Sequence, residues 1–301
     1  MMTNTNDLLE KYGQAVRILP PRLRSFALNL SENDRLNAEE FRLRAGREFA
    51  VSVSGREKII AQTGVVRSEE LDTVLELATK SSVHTARSSI REGFVTVEGG
   101  HRVGLCGTVV RDGVYISGMR NLSSVSIRIA KCVKTAADGI FENVFENDMF
   151  VNTLIVSPPG CGKTTTLREL IRRLSNEGYR ISLVDERGEI AAKNRGIPQF
   201  DVGKSTDVLD GTEKSDGAIL MLRSMSPDII AVDEITAEHD INAMKMISNC
   251  GVGIIATAHG ESKESIMARP LYKELFGLGI FRVIIILNRC SGVFSHRIER
   301  I

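Results

Sequence analysis

The sequence has little with which to build a cross-linked or metal-stapled fold. Its five cysteines, Cys106, Cys132, Cys161, Cys250 and Cys290, are odd in number, widely spaced and include no C-x-x-C pair. Neither a disulfide framework nor a structural zinc site is indicated, and a reducing compartment fits. Long apolar runs are lacking too: the longest aliphatic stretch, Val283 to Leu287, falls far short of the roughly 20 residues that span a bilayer. The opening residues MMTNTNDLLEKYG hold no basic segment followed by an apolar one. A cytoplasmic protein is therefore expected, with any membrane attachment made through a partner. Charge of one sign is not in excess either, since 39 basic residues face 38 acidic ones, and aromatic residues make up only 5% of the chain. Both features argue against a general nucleic-acid binder, which needs basic surface and stacking rings.

What is present is enough for two domains: 301 residues, 42% of them apolar and 26% charged, suit two folded bodies, each with its own core. From Thr153 onward, apolar strands alternate with helical stretches, as in TLIVS, RISLV, DIIAV, VGIIATA and FRVIIIL. That alternation predicts an α/β fold with a mainly parallel sheet covered by helices. The first half differs. A helical start is followed by strand-like FRLRA and FAVSVS, a helix over Ser68 to Ser82, and strands in GFVTVEG, HRVGLCGTVV and SVSIRIA, which predicts a smaller α+β domain. The boundary is placed at 140, in the polar stretch TAADGIFENVFENDMF, giving domains 1–140 and 141–301.

Between the strand at 153–156 and a helix with Leu167, Leu170, Ile171 and Leu174 on one face lies Ser157-Pro158-Pro159-Gly160-Cys161-Gly162-Lys163-Thr164-Thr165. This strand, loop and helix is the setting a phosphate-binding loop requires. Glycines let successive N–H groups wrap a phosphate, and the helix N-terminus adds positive partial charge. Lys163 is expected to reach the β- and γ-phosphates of ATP, and Thr164 to offer its hydroxyl to Mg²⁺. Ser157 occupies the position where the usual pattern has its first glycine, which is tolerable only if that residue needs no positive φ. Phosphate contacts are expected to begin near Gly160, because Pro158 and Pro159 have no N–H to donate.

A nucleotide hydrolase also needs acidic residues at the end of a neighbouring strand. The segment Pro227-Asp-Ile-Ile-Ala-Val-Asp233-Glu234 supplies them, with Asp233 near the metal and Glu234 as the base that polarises water. Two more strand ends are polar: Asp185, Glu186 and Glu189 after ISLV, and His259 after GIIATA. The carboxyl edge of a parallel sheet is where ligands bind, so these positions gain weight, and His259 becomes a candidate contact to the γ-phosphate or its water.

These four segments in this order resemble those of the type II and type IV secretion ATPases and pilus retraction motors, and most closely the stage III sporulation protein AA family. The resemblance rests on SPPGCGKTTTLREL, LVDERGEI, RSMSPDIIAVDEI and ATAHG, which match the family's Walker A, Asp box, Walker B and His box. It implies a RecA-like P-loop core, ATP and Mg²⁺ as cofactors, and a PAS-like N-terminal domain. Asp185 and Glu186 would act at the metal with Thr164 and Asp233. Glu189, Glu234, His259 and Lys163 would act in catalysis. Arginines of the N-terminal domain approach the nucleotide in the family, which makes Arg102, Arg120 and Arg128 the candidates. The sequence departs from the motors at Asp233, where they usually carry glycine, and at Thr236, where they usually carry arginine, and it has no tetracysteine insertion.

The resemblance further implies a homo-oligomeric ring, expected to be a hexamer, that works on membrane proteins of a secretion-like sporulation complex. Two rivals stand beside this reading. A nucleotide-gated scaffold would need Lys163 but not Glu234, and a nucleic-acid-dependent ATPase would be stimulated by DNA.

Overall fold

The computed structural model describes residues 5–80, 93–131, 133–290 and 293–301. Two compact units are present, Met1–Cys132 with Ala192–Gln199, and Val133–Ala191 with Phe200–Ile301. Compared with a single cut at 140, the second unit starts earlier and residues 192–199 belong to the first. There Gln199 Oε1 accepts the Gly99 N–H at 2.9 Å. Cys132 lies outside the described residues.

The first unit holds helices α1 (Thr5–Val16), α2 (Pro21–Leu28), α3 (Glu32–Asn37) and α4 (Ser68–Thr79), and strands β1 (Ala38–Arg44), β2 (Ala50–Val53), β3 (Arg56–Ile59), β4 (Phe94–Thr96), β5 (Arg102–Asp112) and β6 (Tyr115–Arg128). The helix expected to reach Ser82 ends at Thr79, with Lys80 in the left-handed conformation, and residues 81–82 lie outside the described residues. The strands form one antiparallel sheet in the order β3-β2-β1-β6-β5-β4. Alternation along β1 buries Phe41 and Leu43 and turns Arg42 and Arg44 outward, the period-two pattern of a sheet covered on one face. Tyr12 of α1 meets Phe41 edge-on at 5.4 Å, which ties helix to sheet at the centre of the core.

The second unit begins with a short hairpin, β7 (Phe145–Glu146) and β8 (Met149–Phe150), and continues with β9 (Thr153–Ser157), α5 (Lys163–Asn176), β10 (Ile181–Val184) and β11 (Thr206–Leu209). Then come α6 (Lys214–Ser224), β12 (Ile229–Glu234), α7 (Glu238–Asn249), β13 (Gly253–His259), α8 (Lys263–Met267), α9 (Pro270–Gly277), β14 (Val283–Cys290) and β15 (Val293–Arg300). The seven-stranded sheet runs β11-β10-β12-β13-β9-β14-β15 and is parallel except for its last pair. The α/β fold with a parallel-rich sheet is therefore what the strand and helix alternation predicts.

The central strands β9, β10, β12 and β13 are largely apolar and buried because both faces of this sheet are covered there. Leu154, Val156, Ile230, Val232 and Ile254 pack against α6, α7 and α9. Ile155, Ala231, Ile255 and Ile285 pack against α5. The α5 stripe Leu167, Leu170, Ile171 and Leu174 is fully buried, and each such side chain contributes about 2 kcal/mol of hydrophobic stabilisation. This packing fixes the start of α5, and with it the loop that follows β9. Among the described residues no helix is long and apolar enough to cross a membrane.

Candidate active site

The carboxyl ends of β9, β10, β12 and β13 bring the expected residues to one edge of the second unit. At β9 the chain leaves the sheet through Ser157, fully buried, whose hydroxyl donates to the Pro158 carbonyl at 2.9 Å. Positive φ falls at Gly160 (75°) and Gly162 (85°) but not at Ser157, which is why serine serves where the common pattern has glycine. Gly162 is the residue that caps α5, so a side chain there would be strained. Cys161 is buried, with Sγ 3.8 Å from the Pro159 carbonyl oxygen, and it packs the loop. Thr164 and Thr165 sit half-buried in the first turn of the helix.

Lys163 is the first helical residue and only 8% exposed. Its Nζ lies 3.5 Å from Glu234 Oε2 and has no hydrogen-bond partner. Burial holds the Lys163 ammonium below the usual lysine range, and the charges of Glu234 and Asp233 oppose that shift. The same Glu234 Oε2 stands 3.1 Å from His259 Nε2, while His259 Nδ1 is buried without a partner. Glu234 thus lies between the lysine and the histidine. It reaches that position through an irregularity in the β12–β13 register after Ala231, which sets Glu234 opposite Thr257. The next strand pair sets His259 opposite Ser157, and the Gly260 N–H donates to the Ser157 carbonyl at 3.1 Å. Arg269 donates to the His259 carbonyl at 2.9 Å and holds the turn from outside.

Asp233 is half-buried beside them. Burial, then the charges of Glu189, Asp185 and Glu234, push its carboxyl up to about 6, against the pull of Lys163. Of the other two residues read as metal ligands, Asp185 faces its own loop and Glu186 faces a lysine of α6. Asp185 is fully buried and accepts the N–H groups of Glu189, Ile190 and Ala191 at 2.8–3.2 Å. Arg168 of α5 grips the same loop, donating to the carbonyls of Glu189 and Ile190 while its guanidinium lies 3.8 Å over the Phe200 ring. Glu186 pairs with Lys214 Nζ at 2.6 Å.

Lys214 was not legible as a site residue, because nothing in GTEKSDG marks it. It is 8% exposed, and besides Glu186 its Nζ meets Thr236 Oγ1 at 3.4 Å and Asp240 Oδ2 at 4.0 Å. Asp240, fully buried, accepts the N–H groups of Thr236 and Ala237 at 2.8 and 3.0 Å. One lysine therefore links the loop after β10 to the turn after β12. The three arginines belong to the first unit. Arg102 and Arg128 are cross-strand neighbours on β5 and β6, Arg120 lies further along β6 opposite Thr108, and the Arg102 guanidinium stacks 3.5 Å over Phe94.

The residues fit a polyphosphate. An ammonium buried at a helix N-terminus beside two left-handed glycines, in contact with the Glu234 carboxylate at 3.5 Å, is an anion site with a charge to complete it. The Thr164 hydroxyl and the Asp233 carboxylate are hard oxygen donors of the kind Mg²⁺ takes. Among the described residues no group of three His, Cys, Asp or Glu forms a metal site by itself.

A family model described as sporulation stage III, protein AA, matches residues 9–297. The chain is 35% identical over 286 residues to stage III sporulation protein AA of Bacillus subtilis (strain 168), covering 93% of this chain and 92% of that protein. Among solved structures it is similar to the ATPase DotB of Legionella pneumophila, with a TM-score of 0.61 and 17% identity over 89% of this chain and 78% of that one. It is also similar to the pilus retraction motor PilT with bound ADP, with a TM-score of 0.59 and 18% identity over 89% of this chain and 81% of that one. At such identities the likeness is one of fold.

Proposed function

Because the chain belongs to the sporulation stage III, protein AA family and has the fold of the secretion ATPases, we propose that it is an ATP-hydrolysing motor. Its cycle drives assembly of, or transport through, a membrane complex made during sporulation. The observation that carries this reading is Lys163, a buried ammonium without a hydrogen-bond partner, set at the start of α5 and 3.5 Å from the Glu234 carboxylate.

In this reading the N–H groups from Gly160 to Thr165 and the Lys163 ammonium bind the β- and γ-phosphates of ATP. Mg²⁺, held by Thr164 and Asp233, supplies charge neutralisation on those phosphates when bound. Glu234 orients and polarises the attacking water. His259, 3.1 Å from that carboxylate, fixes its direction and carries its position through Gly260 to the phosphate loop. Asp185 holds its loop, Glu186 answers to Lys214, and Glu189, whose charge helps raise the Asp233 carboxyl, is the further acidic group of the site.

The working form is a homo-oligomeric ring, taken as a hexamer, and its membrane spans come from partner proteins. Equilibrium binding of ATP by the wild type and by Lys163→Ala, followed with sedimentation, tests the reading. The wild type is expected to bind and to assemble with ATP, and Lys163→Ala to do neither. Equal ATP affinity in the two proteins would overturn it.

A further inference from the structure

β14 bonds to β9 in register, with Ile286 opposite Val156, so the strand that carries the phosphate loop ends one residue later, at Ser157. β14 does not stop there. It runs on through Asn288, Arg289 and Cys290, all exposed, and returns as β15 with Arg289 opposite Phe294. The antiparallel pair therefore projects past the carboxyl edge of the sheet beside the phosphate loop. Alternation puts Phe294, His296 and Ile298 on one face of β15. Ile298 packs on the core shared with α5, His296 Cε1 stands 3.2 Å from where a Cβ of Gly139 would lie, and the Phe294 ring reaches to 3.5 Å of the same point at Gly162.

The ring edge thus rests on the glycine that caps α5, directly before Lys163. The rest of Phe294 is presented outward, 58% exposed. The Arg289 guanidinium stands 5.0 Å from its centroid and steadies it by a cation–π contact. A large aromatic surface left open at this point has a natural occupant, since it lies within reach of the base of a nucleotide whose phosphates bind the loop. Any base has a π-face to offer such a platform.

We propose that Phe294, braced by Arg289, is the stacking platform for the purine base of the bound nucleotide. This rests on the nucleotide reading of the phosphate loop, and the test separates the two. The chain has no tryptophan, so Phe294→Trp places a single, selectively excitable tryptophan at the proposed contact. Wild type, Phe294→Ala and Phe294→Trp are titrated with ADP and with inorganic tripolyphosphate, which offers phosphates without a base. The expected result is an ADP affinity lowered about tenfold by Phe294→Ala, tripolyphosphate affinity unchanged, and Trp emission quenched by ADP alone. If Phe294→Ala binds ADP as the wild type does, or loses both ligands equally, the platform is refuted while the phosphate site stands. If the wild type binds neither ligand, both readings fall.

Discussion

Lys163 Nζ and Glu234 Oε2 stand 3.5 Å apart, which makes the cation of the phosphate loop and the carboxylate of the neighbouring strand one electrostatic unit. Burial pulls Lys163 down and Glu234 holds it up, so removing the carboxylate must leave a larger fraction of neutral amine. Glu234→Gln is expected to make Lys163 react severalfold faster than in the wild type with an amine-selective reagent at mildly alkaline pH, read at that residue by mass spectrometry. An unchanged rate would mean that the two charges do not couple.

Lys214 is the cation between Glu186 at 2.6 Å and Asp240 at 4.0 Å, and Asp240 is fully buried. Lys214→Met keeps the aliphatic stem but takes the ammonium away from a buried carboxylate and from Glu186. It is expected to lower the unfolding free energy by about 3 kcal/mol, measured by urea titration. A midpoint equal to that of the wild type would show that Asp240 is satisfied without Lys214, by the N–H groups of Thr236 and Ala237 and by His239 at 3.7 Å.

His101, fully buried in the first unit, accepts the Ala130 N–H at Nδ1. Burial foremost, and the charge of Lys11, press its pKa from 6.5 down to about 4. The unfolded chain protonates near 6.5 and the folded chain only near 4, so this residue's contribution is full above 6.5 and is lost as pH falls toward 4. The loss amounts to about 3 kcal/mol. His101→Asn, which keeps an acceptor, is expected to flatten the stability profile between pH 6.5 and 4, and an unaltered slope would contradict this.

A Cβ on Gly260 would stand 2.2 Å from Ile266 Cγ2 and 3.1 Å from Val156 Cγ1, both of them buried residues. The turn that bonds the His259 strand to Ser157 must therefore move if any side chain is added. Gly260→Ala is expected to cost about 2 kcal/mol, seen as a lowered thermal midpoint. Full stability with full activity would show that this turn has slack.

The second unit was legible because its central strands are apolar on both faces and its loops sit at their carboxyl ends: TLIVS, DIIAV and GIIATA name their own positions. Glu234 and His259 could be placed at one edge from sequence, but their contact could not, since it depends on an irregular register after Ala231. Asp185 is legible only as an acidic residue after a strand. Only the path of the next six residues shows its oxygens turned onto the N–H groups of Glu189, Ile190 and Ala191. Lys214 and Phe294 were hidden for a related reason: each lies far along the chain from its neighbours, and neither has a local pattern. The attachment of residues 192–199 to the first unit is likewise a product of long-range packing.

The most direct test of the account is steady-state ATP turnover by the wild type and by Glu234→Gln at saturating Mg²⁺-ATP. If Glu234 polarises the attacking water, the wild type hydrolyses ATP and Glu234→Gln binds it undiminished with turnover reduced about 100-fold or more. Equal turnover in the two proteins, or none in the wild type, would contradict it.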